Sequence, residues 1–435
     1  MSKIRLHGSS SGYTEIAPVA ASGNNTLTLP NDGTIISKDS NGDVGVTSVV
    51  TTTATITTAK VGAAVTISES GIEASGIGIT VANINGTQIG GRKNLIINGD
   101  MRVAQRNTSS NSTGFVSVDR MSQQHSGTDE APSYAQVDVS SGTTPYTLGF
   151  RKAFKFTNGN QTSGANADDL VKMMHRMEAQ DIANSGWNYK SSSSYITISF
   201  WVKSSVAQNF YITLIAYDSP TYMYAFETGG LSADTWTKVT HSIPGNSNLT
   251  FNNDDGLGLE INWYQYAGTN YTDGSHSLNT WGAYSGSNLM PDMTSTWYTT
   301  NVATWELTGV QLEVGDIATS FEHRSYGEEL ARCQRYFYGP TGEGLFGVGR
   351  TTNASTMWSV QFPTQMRGNP SLSITSTTIT IAEPNQSNFN ITSATIANAH
   401  ISKNTAAFYL NGTMSVSVGD NLFLTDDYLM FSADL

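Results

Sequence analysis

Residues 195–217 read YITISFWVKSSVAQNFYITLIAY, and two β-strands are visible in them. Ile196, Ile198 and Phe200 alternate with smaller or polar residues, and so do Phe210, Ile212 and Leu214. A period of two is the signature of strands with one buried face. Further strand candidates follow at Thr235–His241, Leu257–Tyr264 and Val302–Leu312, separated by turns rich in Gly, Asn and Ser. Many short strands with little helix indicate a β-sandwich or jelly roll across residues 94–324. One helix is expected inside it, at Asp168–Ile182, where Leu170, Met173, Met174 and Met177 have helical spacing.

Upstream the composition changes. No Phe, Trp or Tyr occurs between Tyr13 and Phe115, and all 8 Trp residues lie beyond that gap. Residues 1–45 read as a small β unit, with short strands at Tyr13–Ile16, Thr26–Leu29 and Thr34–Ser37. Asp39, Asn41 and Asp43 begin like a calcium loop, but Val44 and Val50 stand where Gly and Glu are needed, so a plain turn is expected. Residues 46–93 alternate like strand and carry no aromatic side chain. Val65, Ile67, Ile72, Ile77, Ile79 and Val81 would stay largely in water in a single chain. Each forgoes about 1.5–3 kcal/mol of burial there, so a trimeric stem with these residues inward is expected. The alternative is a flexible linker.

Downstream, residues 325–339 read as a linker helix. Ser325 and Glu328 have the spacing of a capping box, and Gly339-Pro340 stops the helix. Residues 340–435 read as a C-terminal β-sandwich, with strands at Ser355–Phe362, Ser371–Ile381, Ala406–Leu410, Ser415–Val418 and Tyr428–Ala433. The fold expected overall is mainly β: an elongated trimeric fibre with a small N-terminal unit, a stem, a jelly roll, a short helix and a C-terminal sandwich.

Composition limits the function. The formal charge is −12, which disfavours nucleic acid and anionic membranes as partners. Cys333 is the only cysteine, so no internal disulfide forms. The start MSKIRLHGSS has no apolar core of a signal peptide, and no run reaches the length of a membrane span. Synthesis and assembly in a reducing cytoplasm are expected.

The stretch from Trp263 to Tyr298 sets Tyr and Trp among Gly, Ser, Asn and Thr, the composition of a recognition loop. An aromatic face can carry a sugar ring while amides and carboxylates bond its hydroxyls. Tyr271, Trp281 and Tyr284, with Asn270, Asp273, His276 and Asn279, are the candidate glycan-binding residues. The competing reading puts these rings in the core or at a subunit interface, and it is preferred for Trp263 and Trp297. A glycan depolymerase would need two carboxylates at a defined separation. Asp254, Asp255, Glu260, Asp292 and Glu306 are available, but no motif groups them. No catalytic residue, metal ligand or cofactor is therefore expected, with a structural metal ion in the jelly roll left open.

Three local signatures stand out. The first is Asn94-Leu95-Ile96-Ile97-Asn98-Gly99-Asp100-Met101 with Gln105-Arg106 and Val118-Asp119-Arg120-Met121. The second runs from Gly309-Val310-Gln311-Leu312-Glu313-Val314-Gly315 through Thr319-Ser320-Phe321-Glu322 to Glu329-Leu330-Ala331-Arg332-Cys333-Gln334-Arg335-Tyr336. The third is Phe362-Pro363-Thr364-Gln365-Met366-Arg367-Gly368-Asn369-Pro370. The combination resembles bacteriophage tail fibre proteins, particularly of marine podoviruses that infect cyanobacteria (cyanophages). The resemblance implies a homotrimeric virion protein attached to tail adaptor or nozzle proteins by its N-terminus. It also implies a jelly roll like a carbohydrate-binding module, and host adhesion through a surface polysaccharide or lipopolysaccharide. A structural tail or head appendage without receptor contact is the main alternative, and a depolymerase the lesser one.

Overall fold

The computed structural model describes residues 93–340, 345–383, 388–424 and 429–435. Before them it describes seven short strands as backbone. The chain divides into two compact units, Met1–Thr80 and Val81–Leu435.

In the first unit Ile4–His7 pairs antiparallel with Tyr13–Ile16. Thr58–Val61, Val65–Ser68 and Gly71–Ala74 form an antiparallel meander, with Val65 opposite Ala74 and Ile67 opposite Ile72. These stem strands therefore find backbone partners within one chain. The expected strands Thr26–Leu29 and Thr34–Ser37, and the stem residues Ile77, Ile79 and Val81, lie outside the described residues.

The second unit contains a sandwich of two six-stranded antiparallel sheets. The first sheet runs Thr237–Pro244, Tyr195–Ser204, Thr304–Val314, Lys152–Thr157, Ser133–Asp138, Ser109–Ser110. The second runs Trp281–Ala283, Tyr222–Glu227, Tyr211–Ala216, Leu257–Ala267, Leu170–Glu178, Met121–Ser126. The chain passes repeatedly from one sheet to the other, in the manner of a jelly roll. Ile196, Ile198, Phe200 and Val202 face Ile212, Leu214, Ile261 and Trp263 across one core. Phe200 and Trp263 meet edge to face, with ring centroids 6.1 Å apart.

One bulge shapes the first sheet. Trp201 pairs with Thr308 and Ser199 with Gln311, so Thr304–Val314 carries an extra residue there. Gly309 takes a φ of 64° at that point. Leu307 and Val310, three apart, consequently both reach the core.

The helix expected at Asp168–Ile182 is instead the strand Leu170–Glu178 followed by the single turn Ala179–Ala183. The strand lies between two neighbours and is covered on both faces. Val171, Met173 and Met177 join the main core, while Met174 is buried from the other side. Apolar residues on both faces of a central strand imitate helical spacing.

The helix Tyr326–Gln334 carries Ser325 as its N-cap, whose side chain accepts from the Glu328 N–H at 3.3 Å. Beyond it, the C-terminal unit is a correction to the expected sandwich. Phe346–Thr351, Ser355–Gln361, Thr405–Thr413, Phe389–Ile401, Ile379–Ala382 and Asn421–Leu424 close into a barrel. Phe346 pairs with Phe423, which joins the first barrel strand to the last and leaves no free edge. A three-stranded sheet of Phe337–Tyr338, Leu429–Ser432 and Ser371–Ile374 completes it. Ser415–Val418 is not a strand.

Arginines join barrel to sandwich. The Arg335 guanidinium lies 2.6 Å from Glu178, and the Tyr336 hydroxyl donates to the same carboxylate at 2.6 Å. Arg120, almost wholly buried, sits 3.4 Å above the Tyr336 ring. Arg367 donates to the carbonyls of Ala433, Asp434 and Asp255 at 2.8–2.9 Å. Asp434 also receives Arg106, and Arg176 reaches the Leu435 oxygen at 2.6 Å. In the first signature, Asn98 donates its backbone N–H to buried Glu329 at 2.6 Å. All three sequence signatures contribute to this junction.

Candidate functional site

The aromatic-polar segment does not form a free loop. Tyr271, Leu289, Met290 and Met293 pack on Ile215, Met223 and Tyr264 of the second sheet, and Trp281–Ala283 between them is that sheet's edge strand. Trp281 is only 8% exposed, lies in the core, and donates its indole N–H to the Pro244 carbonyl at 2.7 Å. Trp263 and Trp297 are fully buried. Asp273 accepts from the Ser275 N–H and hydroxyl, which hold its carboxyl below the ordinary range. His276 Nδ1 donates to Asn288 Oδ1 at 2.6 Å. Tyr271 is half-buried. Asn270, Asn279 and Tyr284 are exposed, the last at 43%. The structure thus brings the candidates into one segment but engages most of them in holding it down.

Polar side chains on the second sheet pair with one another. Lys172 donates to Asn262 at 2.9 Å, Arg176 to Glu260 at 2.7 Å, and Asn262 to Glu260 at 3.0 Å. The Tyr217 hydroxyl also reaches Glu260, at 3.3 Å. Burial and the Glu260 charge push the Tyr217 phenol up.

The outer face of the first sheet is different. On Tyr195–Ser204 the core takes the even-numbered residues, so Thr197, Ser199, Trp201 and Lys203 point away from it. Trp201 is half-buried beside Lys238, its partner across the strands. Trp236 lies in the same small apolar cluster, and Lys203 stands 5.2 Å over its ring while pairing with Glu306 at 3.0 Å.

Next to Trp201 is a cavity of about 410 Å³. Phe150, Ser199, Trp201 and Lys238 line it from the sheet side, and Ser320, Phe321 and His323 from the following loop. Volumes of this order hold small ligands. The loop is fixed before any ligand arrives. Thr319 donates its N–H and hydroxyl to Glu313 at 2.8 and 2.6 Å, and Lys93 Nζ bonds Thr319 Oγ1 and the Ser320 carbonyl at 2.7 Å. His323 Nε2 donates to the Leu148 carbonyl at 2.9 Å, and its ring packs 4.9 Å from Phe321. Phe150 meets Phe321 edge to face at 4.9 Å. A side chain at Gly309 would strike Phe150, with its Cβ 2.7 Å from Cζ. The bulge glycine is therefore part of the cavity's construction.

Sequence reading placed Trp201 in a strand and missed its direction. The signal was present: Trp201 shares its phase with Thr197 and Ser199, not with Ile198 and Phe200. The residues 318–323 that wall the cavity had no such signal, because their position depends on contacts far along the chain.

The five carboxylates considered for hydrolysis lie apart in function. Glu260 pairs with Arg176, and Glu306 pairs with Lys203. Asp255 pairs with Lys403 at 2.6 Å, Asp292 accepts from Thr272, and Asp254 accepts from the Gly256 N–H. Among the described residues no cluster of three or more His, Cys, Asp or Glu is placed to hold a metal ion. Among the same residues, no helix is long and apolar enough to cross a membrane.

No family model and no curated protein matches the chain. Solved structures with similarity include the enzymatically active domain of tailspike protein 4 of bacteriophage CBA120, at 10% identity and TM-score 0.27 over 51% of this chain. The match spans 21% of that tailspike chain. A putative sugar binding protein from Bacteroides thetaiotaomicron is 12% identical, with TM-score 0.27, over 51% of this chain and 99% of its own. A family 11 carbohydrate-binding module from Clostridium thermocellum is 11% identical, with TM-score 0.22, over 49% and 98%. At these TM-scores the likenesses carry no argument about ligand or role.

Proposed function

We propose that this protein binds a glycan through the cavity beside Trp201. The observation that supports the reading is a half-buried indole on a rigid sheet, next to a preformed cavity with hydroxyls, an imidazole and an ammonium at its walls. A sugar's C–H face stacks on the indole, and the polar groups receive its hydroxyls. Titration calorimetry of the full chain with host surface polysaccharide tests this. Binding that is lost in Trp201→Ala, with the fold retained by circular dichroism, is the expected result. Unchanged binding by that variant overturns the site.

The wider role we propose is that of a phage tail fibre, trimeric and carried on the virion tail. It is held to an adaptor by the N-terminal unit and binds the host glycan through the sandwich. The sequence signatures support this reading. Removing residues 1–46 should prevent incorporation into particles while leaving the sandwich folded. Phage without the protein that still adsorb normally would favour a purely structural appendage. Release of shorter saccharides on incubation would favour a depolymerase.

A further inference from the structure

We infer that the saccharide bound beside Trp201 is acidic, carrying a carboxylate on the ring that stacks on the indole. This deepens the glycan-binding reading and rests on it.

Charge is the first argument. The chain has 35 acidic residues against 23 basic ones, yet no Asp or Glu lines the cavity. The ionisable groups that line it are Lys238 and His323. The Lys238 ammonium makes none of the ion pairs or side-chain hydrogen bonds present among the described residues. Its side chain is exposed and adjoins Trp201 across the strands, so ammonium and indole present themselves to one ligand.

The neighbouring carboxylates are the second argument, since they could have neutralised Lys238. Glu313 is fully buried and holds Thr319. Glu322 accepts from the backbone N–H groups of Lys93 and Asn94 and lies 3.3 Å from Arg324. Glu306 is taken by Lys203. Each is thus already engaged. The Lys93 ammonium, held on the Ser320 carbonyl, adds positive charge to the same wall.

A neutral glycan would use the indole and hydroxyls but leave the Lys238 charge without a counterpart. A ring carboxylate gives it a charge-assisted hydrogen bond, the stronger kind.

The probe is a microarray of uronate-containing bacterial oligosaccharides printed beside their carboxyl-reduced counterparts, read with the full chain at low salt. The acidic member of bound pairs should be preferred by about tenfold, the worth of one hydrogen bond to a charged group. Lys238→Gln should remove that preference, so that the acidic and reduced members of each pair bind alike. Trp201→Ala should lose both. Equal binding to acidic and reduced members, abolished by Trp201→Ala, overturns the acidic ligand and leaves the glycan reading standing. No binding to any saccharide by the folded chain overturns both.

Discussion

The two outer faces of the sandwich are built from similar residue types and put them to opposite uses. Over the second sheet, Tyr271, Leu289 and Met290 pack on Ile215, Met223 and Tyr264, and on the same sheet Lys172, Arg176, Glu260 and Asn262 satisfy one another. Over the first, Trp201 and Lys238 border an open cavity of about 410 Å³, and the Lys238 ammonium makes no ion pair or side-chain hydrogen bond among the described residues. Aromatic density alone therefore does not separate the two faces. On the reading proposed above, the distinguishing feature is an aromatic residue in the outward phase of a strand, next to an ammonium without an ion-pair partner.

The comparison breaks most readily at its tryptophans. Trp281→Ala should destabilise the fold by about 3–5 kcal/mol, as large-to-small core changes do, because its ring is buried against Tyr224. Trp201→Ala should cost much less stability and instead weaken glycan binding by about 2 kcal/mol, roughly thirtyfold, as an anchor residue does. Chemical denaturation and calorimetry on both variants check this. If Trp281→Ala were as stable as wild type and lost binding, the assignment of the two faces would be reversed.

Gly309→Ala comes next. It forces an alanine into a φ of 64° and its Cβ against Phe150. A strained backbone of this kind costs about 1–3 kcal/mol. Because Phe150 lines the cavity, binding should fall along with the melting temperature. Ligand binding undiminished in Gly309→Ala would show that the bulge does not shape the site.

The signatures that resemble phage fibres proved to be architecture. Arg120, Arg335, Tyr336 and Arg367 bind sandwich, helix and barrel together, which is a constraint on sequence unrelated to any ligand. Alternation at Ile196, Ile198 and Phe200 was legible because one face of the strand is apolar while the other carries Thr197, Ser199 and Lys203. The capping serine Ser325 was legible because a cap is local. Leu170–Glu178 was misread because methionines on both of its faces, Met173 and Met177 on one and Met174 on the other, remove the period of two. Barrel closure was illegible because it rests on Phe346 meeting Phe423 across most of the domain.

A smaller effect sharpens the contrast between ligand chemistry and architecture through pH. Burial pushes the Glu178 carboxyl up, but hydrogen bonds from Arg335 and Tyr336, with the Arg335 charge, outweigh it and hold the group below its ordinary value of 4.5. A depressed carboxyl stabilises the fold above its unfolded value and loses that contribution as pH falls through the folded value. The stability gap between wild type and Glu178→Gln should therefore be full at pH 7 and narrow as pH falls below the ordinary carboxyl value of 4.5 and through the lower folded value. Asp100 and Asp119, raised by burial, act in the opposite sense in both proteins and cancel from the difference. A gap that stays constant from pH 7 to pH 3 would show that the Arg335–Glu178 pair does not hold the junction.

The smallest expected effect is at Tyr284, the most exposed of the aromatic residues in the folded segment, at 43%. Its backbone N–H is held by the Thr221 carbonyl at 3.1 Å, which does not depend on the side chain. Tyr284→Ala should change stability by less than about 0.5 kcal/mol, as surface substitutions do. If the first sheet alone carries the ligand, glycan affinity in this variant should equal that of wild type. A clear loss of affinity would bring the second face back into recognition, with Tyr284 at its rim beside Tyr217, and would divide the ligand between the two sides of the sandwich.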